Sequence, residues 1–327
     1  MILVTGGAGF IGSNMVAALL EAGSGPVKVC DWLGDDQKWR NLSHHLVDDV
    51  IAPEALADWL KGQSQLTGVL HMGAISSTTV SDADAVVRQN FQTSRLLWEY
   101  CTERQIPLIY ASSAATYGDG AAGFDDEDTA EALAKLKPLN LYGWSKHWFD
   151  RWAVDQRHRG LAQPPFWAGL KFFNVYGPNE YHKGDMQSIV AKNHAPVTAG
   201  ETVGLFQSHR PDYEHGGQLR DFVYVRDGVD VALWLLRAMP RSGLYNVGTG
   251  QARSFKSLVE ALAGACGQPP RIDYVPMPEV LRPRYQYFTE ARMDRLRAAG
   301  YNQPFRSIED GVGDYVRRFL SQSDPYR

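Results

Sequence analysis

A strand, a glycine turn and a helix, in that order and within the first two dozen residues, limit how this chain can fold more than any other feature. Ile2-Leu3-Val4 is an apolar run of strand character, and Thr5-Gly6-Gly7-Ala8-Gly9-Phe10-Ile11-Gly12 follows it at once. Phe10 to Ala22 then has helical spacing and stops at Gly23. The glycines at 6, 9 and 12 have separate uses. The first turns the chain, the second lets a pyrophosphate approach the backbone, and the third lets helix pack on strand. The start of the helix meets the phosphate with unpaired N–H groups. A second strand, Val27-Lys28-Val29-Cys30, ends at Asp31, close to the ~20-residue spacing at which an acid holds a ribose hydroxyl. Asp31 alone favours NAD, because a carboxylate repels a 2′-phosphate, whereas Lys38 and Arg40 just beyond it can neutralise that phosphate. On these residues NAD and NADP both remain open.

The alternation continues. Pro53 to Leu60 reads as a crossover helix, Val69-Leu70-His71 as a strand, Ala83 to Glu103 as a long helix and Ile106 to Ala111 as the next strand. The acidic stretch from Asp119 to Lys137 reads as a loop, Tyr142 begins a helix running to about His158, and Phe166 to Phe173 resumes strand character. This is the rhythm of an α/β fold with a Rossmann-type doubly wound parallel sheet. After Asn174-Val175-Tyr176-Gly177-Pro178 the pieces become shorter, with a helix expected from Met186 to His194 and a strand at Gly204–Ser208. We expect a dinucleotide-binding domain of residues 1–172 plus about 222–248. A smaller α/β substrate-binding domain then takes residues 173–221 and 249–327.

Two stretches carry chemistry. Tyr142 and Lys146 are four apart on a helix, so their side chains share one face. A free tyrosine ionises near pH ~10, and bringing it to neutrality takes roughly 4 kcal/mol. An ammonium about 4 Å away at an effective dielectric of about 20 supplies that much. Such a pair can take and return an alcohol proton while a cofactor handles the hydride. Ser112-Ser113-Ala114-Ala115-Thr116-Tyr117-Gly118 ends a central strand, where parallel sheets bind ligands. Ser113 or Thr116 is placed either to hydrogen-bond the reacting hydroxyl or to cap backbone. Met72-Gly73-Ala74-Ile75-Ser76, after the His71 strand, suits a loop passing beneath a dinucleotide, and His71 is expected to be packed rather than catalytic.

Composition removes other classes. A formal charge of -4 and no run of lysines and arginines give no field for nucleic acid. Cys30, Cys101 and Cys266 are scattered and odd in number, as expected of thiols in a reducing compartment, with no metal site. Met1-Ile2-Leu3-Val4 is too short for a signal peptide and no segment nears the ~18 apolar residues of a span. The expectation is a soluble cytoplasmic protein with a small-molecule substrate.

Thr5–Gly12, Ser112–Gly118, Tyr142-x-x-x-Lys146, Asn174–Pro178, Arg220–Val225 and Asn246-Val-Gly-Thr-Gly250 together resemble the extended short-chain dehydrogenase/reductase family acting on nucleotide sugars. Ser76-Ser-Thr-Thr79, His182-Lys183-Gly184 and Arg284-Tyr-Gln286 are more similar to its branch that epimerises ADP-heptoses at C6 for the lipopolysaccharide core. The resemblance covers essentially the whole chain. It implies NADP as a bound, recycled cofactor, a homo-oligomer (a pentamer), and two acid/base residues, Tyr142 and Lys183, with Lys146 holding the nicotinamide ribose. It further implies cofactor contacts from Trp32, Asn90 and Val175, besides Gly6, Gly9, Phe10, Ile11, Gly12, Asp31, Lys38, Met72–Ser76, Tyr142, Lys146 and Lys183. Contacts to the ADP-sugar carry over to Ser113, Asn174, His182, Asp185, Lys192, Phe206, Gln207, Ser208, Arg220 and Tyr285. Trp32 and Met72 stand where the branch commonly has asparagine and glutamate, and Asp185 and Lys192 where it has serine and histidine. The other readings are a UDP-hexose 4-epimerase, a nucleotide-sugar dehydratase, and a dinucleotide-sensing binding protein without catalysis.

Overall fold

The computed structural model describes residues 1–35, 37–279, 282 and 285–327; Arg284, part of the resemblance above, lies outside them. Thirteen strands occur among the described residues. Seven form one wholly parallel sheet: β1 (Ile2–Thr5), β2 (Val27–Cys30), β3 (Asp49–Ile51), β4 (Gly68–His71), β5 (Leu108–Ser113), β6 (Trp167–Phe172) and, late in the chain, β11 (Gly243–Val247), in the order β11-β6-β5-β4-β1-β2-β3. The rest are short pairs. β7 (Asn174–Tyr176) runs parallel with β10 (Phe222–Tyr224), β8 (Val203–Phe206) parallel with β13 (Ile272–Val275), and β9 (Leu219–Arg220) antiparallel with β12 (Arg253–Ser254).

Both faces of the large sheet are buried, and side-chain alternation divides its strands between two cores. Val4, Val29, Leu70, Ile109 and Leu170 point to one face, packed with Met15 and Leu19 of the Phe10–Glu21 helix and Val231 and Leu235 of the Val225–Ala238 helix. Leu3, Val69, Leu108, Tyr110 and Trp167 point to the other, against Leu97 and Trp98 of the Thr93–Arg104 helix and Phe149 and Ala153 of the Leu141–His158 helix. A sheet enclosed in this way reads as continuous apolar runs, which is why β1 was visible in sequence. The chain leaves β1 towards β2 and β3 on one side and returns to β4 and β5 on the other. The resulting crevice, at the carboxyl ends of β1 and β4, is where open α/β sheets bind ligands.

Two elements differ from expectation in ways that bear on the site. The long helix after β4 is interrupted by a π-helical turn at Val87–Gln92, flanked by helices Ala83–Val86 and Thr93–Arg104. The extra residue in that turn carries Asn90 inward, where it is fully buried. The helix expected at Met186 begins at Ile189 instead, because Ser188 caps it by accepting from Ala191 N at 3.2 Å. Tyr181–Met186 thereby becomes a separate tight turn, with Gly184 at φ 53°.

Candidate active site

One cavity of about 1160 Å³ runs from the glycine turn, past the carboxyl ends of β4 and β5, to Arg220 and Tyr285. Its first end is a phosphate cradle. Gly6 adopts φ +64°, and a Cβ there would lie 2.5 Å from Gly73 N; a Cβ on Gly12 would run into the Gly6 carbonyl oxygen. Backbone therefore packs on backbone at both positions, which only glycine permits. The Phe10–Glu21 helix starts at Gly9 with no side-chain cap, which leaves its first N–H groups for an anion. Asp31 is buried beside this turn, accepting from Ala8 N at 2.9 Å and from Lys38 Nζ at 2.7 Å. Lys38 also donates to the Trp32 carbonyl at 2.7 Å, and the Trp32 indole N–H is held by Glu54 at 2.7 Å. Arg40 points elsewhere, over the Tyr326 ring and 3.5 Å from Asp324. Of the two cations weighed at this spot, only Lys38 reaches Asp31. The donors, the acid and the glycine cradle fit a dinucleotide.

The floor is fixed from below. His71 is buried with both ring nitrogens engaged, Nδ1 with Thr5 Oγ1 at 2.6 Å and Nε2 with Ser94 Oγ at 2.8 Å, and burial pulls its pKa down to about 3. It is a neutral, packed histidine. Asn90 accepts from Ile75 N at 2.8 Å and donates to Ile75 O at 3.0 Å and to Ser145 Oγ at 2.9 Å. Ile75 and Asn90 thus clamp the loop Met72–Ser76 to the Tyr142 helix from outside the cavity wall, while Met72, Gly73, Ala74 and Ser76 line it.

Tyr142, Lys146 and Ser113 meet in the middle of the cavity. Asn140 caps their helix by accepting from Gly143 N at 2.8 Å, and Gly143 gives a close approach, since a Cβ there would come 2.7 Å from the Ala115 carbonyl oxygen. Burial raises the Tyr142 pKa above its ordinary value; the nearby Ser113 hydroxyl, which also accepts from Ala115 N at 3.1 Å, opposes the rise and the charge of Asp150 adds to it. Burial also pulls Lys146 down to about 8, opposed by Asp150. Lys146, brought down to about 8, loses its charge before a phenol held above its ordinary value titrates, so the simple pairing expected from their spacing does not by itself lower Tyr142. Thr116, the alternative to Ser113, faces away from the cavity: it is fully buried and donates to Ser113 O at 2.8 Å.

Lys183 and His182 enter the cavity from the Tyr181–Met186 turn. Lys183 Nζ lies 5.1 Å from the centre of the Phe10 ring, and burial lowers its pKa, with Glu180 opposing. Asn41 secures this turn, its Nδ2 2.8 Å from Ala8 O and 3.2 Å from both Asn179 O and His182 Nδ1. At the far end Arg220 is buried between the rings of Tyr285 at 5.3 Å and Phe255 at 5.7 Å. Phe10, Ile11, Asn174 and Val175 also line the cavity.

Five of the expected sugar contacts stand outside that wall. Lys192 donates to the Asp185 carbonyl, and both residues are exposed. Phe206 packs edge-on to Tyr285 at 6.3 Å; Gln207 is tied to β13 through Val275 O at 2.8 Å; Ser208 donates to Arg210 O at 2.8 Å. Sequence reasoning missed Leu139, Phe255, Gln286 and Thr289, which do line the cavity. Gln286 stood in the Arg284-Tyr-Gln286 segment of the resemblance without an assigned role, and Phe255 is the first residue after the Ser254 cap of its helix.

A profile of the NAD dependent epimerase/dehydratase family matches residues 2–248. ADP-L-glycero-D-manno-heptose-6-epimerases of Nitratidesulfovibrio vulgaris and Fusobacterium nucleatum are 48% and 45% identical to this chain, each over all of both proteins. The crystal structure of the Helicobacter pylori enzyme of that name superposes with a TM-score of 0.79 at 29% identity, covering 97% of this chain and 95% of that one. Thermus thermophilus UDP-glucose 4-epimerase in complex with NAD gives 0.74 at 29% identity, covering 95% and 96%. With its glycine cradle, its tyrosine and lysine on one helix and this full-length likeness, the chain belongs to the NAD dependent epimerase/dehydratase family.

Proposed function

We propose that this chain interconverts ADP-D-glycero-D-manno-heptose and ADP-L-glycero-D-manno-heptose by transient oxidation at C6, in the supply of heptose for the lipopolysaccharide core. The observation that carries the proposal is the arrival of two proton-handling groups, Tyr142 and Lys183, in one cavity from separate elements. The cradle at Gly6–Gly12, Asp31 and Lys146 would hold a nicotinamide dinucleotide, which would supply the hydride acceptor and donor. The protein does the rest. Arg220 holds the diphosphate with a planar, always-charged fork, Ser113 orients the sugar hydroxyl, and Tyr142 or Lys183 takes its proton. The sugar turns about its fixed diphosphate and presents the opposite face of C6, so the second group protonates the oxygen on return. Burial serves this exchange, because it lowers the cost of a neutral lysine and brings Lys183 towards the range of a usable base.

We further propose NADP as the cofactor. Lys38 neutralises the Asp31 carboxylate, which weakens its repulsion of a 2′-phosphate and sets a cation beside it. A cytoplasmic homo-oligomer, a pentamer by resemblance, completes the proposal. Dehydration finds less support: among the described residues, Asp31 is the only carboxylate in the cavity wall. Asp119 and Asp125 instead accept from Ala121 N at 2.9 Å and Glu127 N at 3.1 Å.

The test is incubation of the purified protein with each ADP-heptose epimer and, separately, with UDP-galactose, followed by proton NMR. Interconversion of the ADP-heptoses alone is expected. Turnover of UDP-galactose with the ADP-heptoses untouched would replace the proposal by a 4-epimerase. The dinucleotide released on denaturation identifies the cofactor.

A further inference from the structure

Behind the active tyrosine lies a buried ion pair that the chemistry above does not use. Asp150 is on the Tyr142 helix, two turns beyond it, and Lys171 is on β6; both are fully buried. Their separation is 3.1 Å. Asp150 also accepts from Ser112 Oγ at 2.7 Å and Tyr110 OH at 3.0 Å. Lys171 donates to Thr116 Oγ1 at 2.7 Å, and its ammonium lies 4.6 Å from the centre of the Tyr117 ring. Thr116 in turn donates to the Ser113 carbonyl at 2.8 Å.

Two chains of hydrogen bonds therefore leave this pair and end on two neighbouring residues, Ser112 and Ser113. Through Ser112 the pair holds the residue before Ser113; through Lys171 and Thr116 it holds the Ser113 carbonyl. A buried ion pair is weak evidence for stability, since apolar residues of the same volume pack as well or better. What an apolar filling cannot do is fix the direction of a hydroxyl at the end of a strand. We propose that the Asp150–Lys171 pair, acting through Thr116, is a positioning device for Ser113, setting its hydroxyl for Tyr142 and the reacting sugar hydroxyl. The proposal deepens the reading of the site as a nucleotide-sugar epimerase and rests on it.

Thr116→Val tests it, because it removes the link between Lys171 and Ser113 while leaving volume and the ion pair in place. Misplacing a catalytic group by a fraction of an ångström predicts a kcat roughly tenfold or more lower, with KM for the ADP-heptose unchanged. Thr116→Ser, which restores the hydroxyl, returns most of it. A valine variant with kcat within about twofold of the parent overturns the proposal. So does a serine variant as impaired as the valine one, since packing would then be the cause. If the parent protein leaves ADP-heptose unchanged, the proposed function fails and the positioning is decided separately by NMR of protein carrying [¹³Cζ]tyrosine. The Tyr142 signal is assigned by its loss in Tyr142→Phe, and at neutral pH its shift reports the placement of the Ser113 hydroxyl beside it. Thr116→Val moves that signal if Ser113 is positioned as proposed; an unmoved signal overturns it.

Discussion

Ser113, whose Oγ caps the turn after β5 by accepting from Ala115 N at 3.1 Å, shares the cavity wall with Tyr142 at the first turn of the Leu141–His158 helix, and its hydroxyl favours the tyrosinate against the burial that opposes it. Burial thus keeps the phenol above its ordinary pKa.

Replacing Tyr142 by Phe keeps the ring and deletes the hydroxyl that Ser113 meets. Turnover is expected to fall by about 10²–10⁴-fold, the range for loss of a positioned acid/base group. Dinucleotide affinity, measured by fluorescence titration, is expected to stay within a few-fold. A variant with near-normal kcat would remove Tyr142 from the chemistry.

Replacing Lys183 by Met is expected to slow both directions of epimerisation, because whichever epimer is oxidised first, the other group is needed on the return. A loss of about 100-fold each way fits one missing acid/base residue. Near-full rates in both directions, followed by NMR from each pure epimer, would leave Tyr142 as the sole base.

Lys146 gives the pH dependence. Its pKa is brought down from 10.5 to about 8 by burial, so the charge proposed to anchor the cofactor ribose is lost as pH rises through about 8. Activity should decline on that alkaline side. Stability runs the other way. Between pH 8 and 10.5 the unfolded chain binds more protons at this site than the folded one, so stability from Lys146 rises across that window. Below it the full cost of the buried charge, on the order of 3 kcal/mol, is present. Urea titrations of the parent and Lys146→Met at pH 7 and pH 10 check this. The variant should be the more stable at pH 7, and the advantage should shrink at pH 10.

Gly12→Ala should disable the phosphate cradle, since its methyl group meets the Gly6 carbonyl oxygen. Overpacking at such a contact costs about 1–3 kcal/mol, seen as a lower Tm, and the dinucleotide should no longer co-purify. Retained cofactor with an unchanged Tm would show that the turn relaxes freely.

The parts of the molecule readable in sequence were those whose pattern is local. β1, the glycine turn and Asp31 lie within one unit of about thirty residues, and Tyr142 and Lys146 are one helical turn apart. The parts that were not readable depend on partners distant in the chain. Asn90 meets Ser145 and Ile75, and Lys171 meets Thr116 and Asp150; neither contact leaves a periodic trace. β3 spans only Asp49–Ile51, too short for alternation to declare a strand. Arg40 shows the opposite failure: its place in the sequence is right for a phosphate, but Asp324 and Tyr326 at the far end of the chain draw it away.

The most direct measurement follows the hydrogen on C6. ADP-heptose carrying deuterium at that carbon is taken to epimeric equilibrium in ordinary water and analysed by mass spectrometry and NMR. Oxidation and reduction by one retained hydride acceptor should leave the label on C6 of both epimers. Exchange of that deuterium for solvent hydrogen as the epimers interconvert would show that the carbon is deprotonated rather than oxidised, and would contradict the mechanism built on Tyr142 and Lys183.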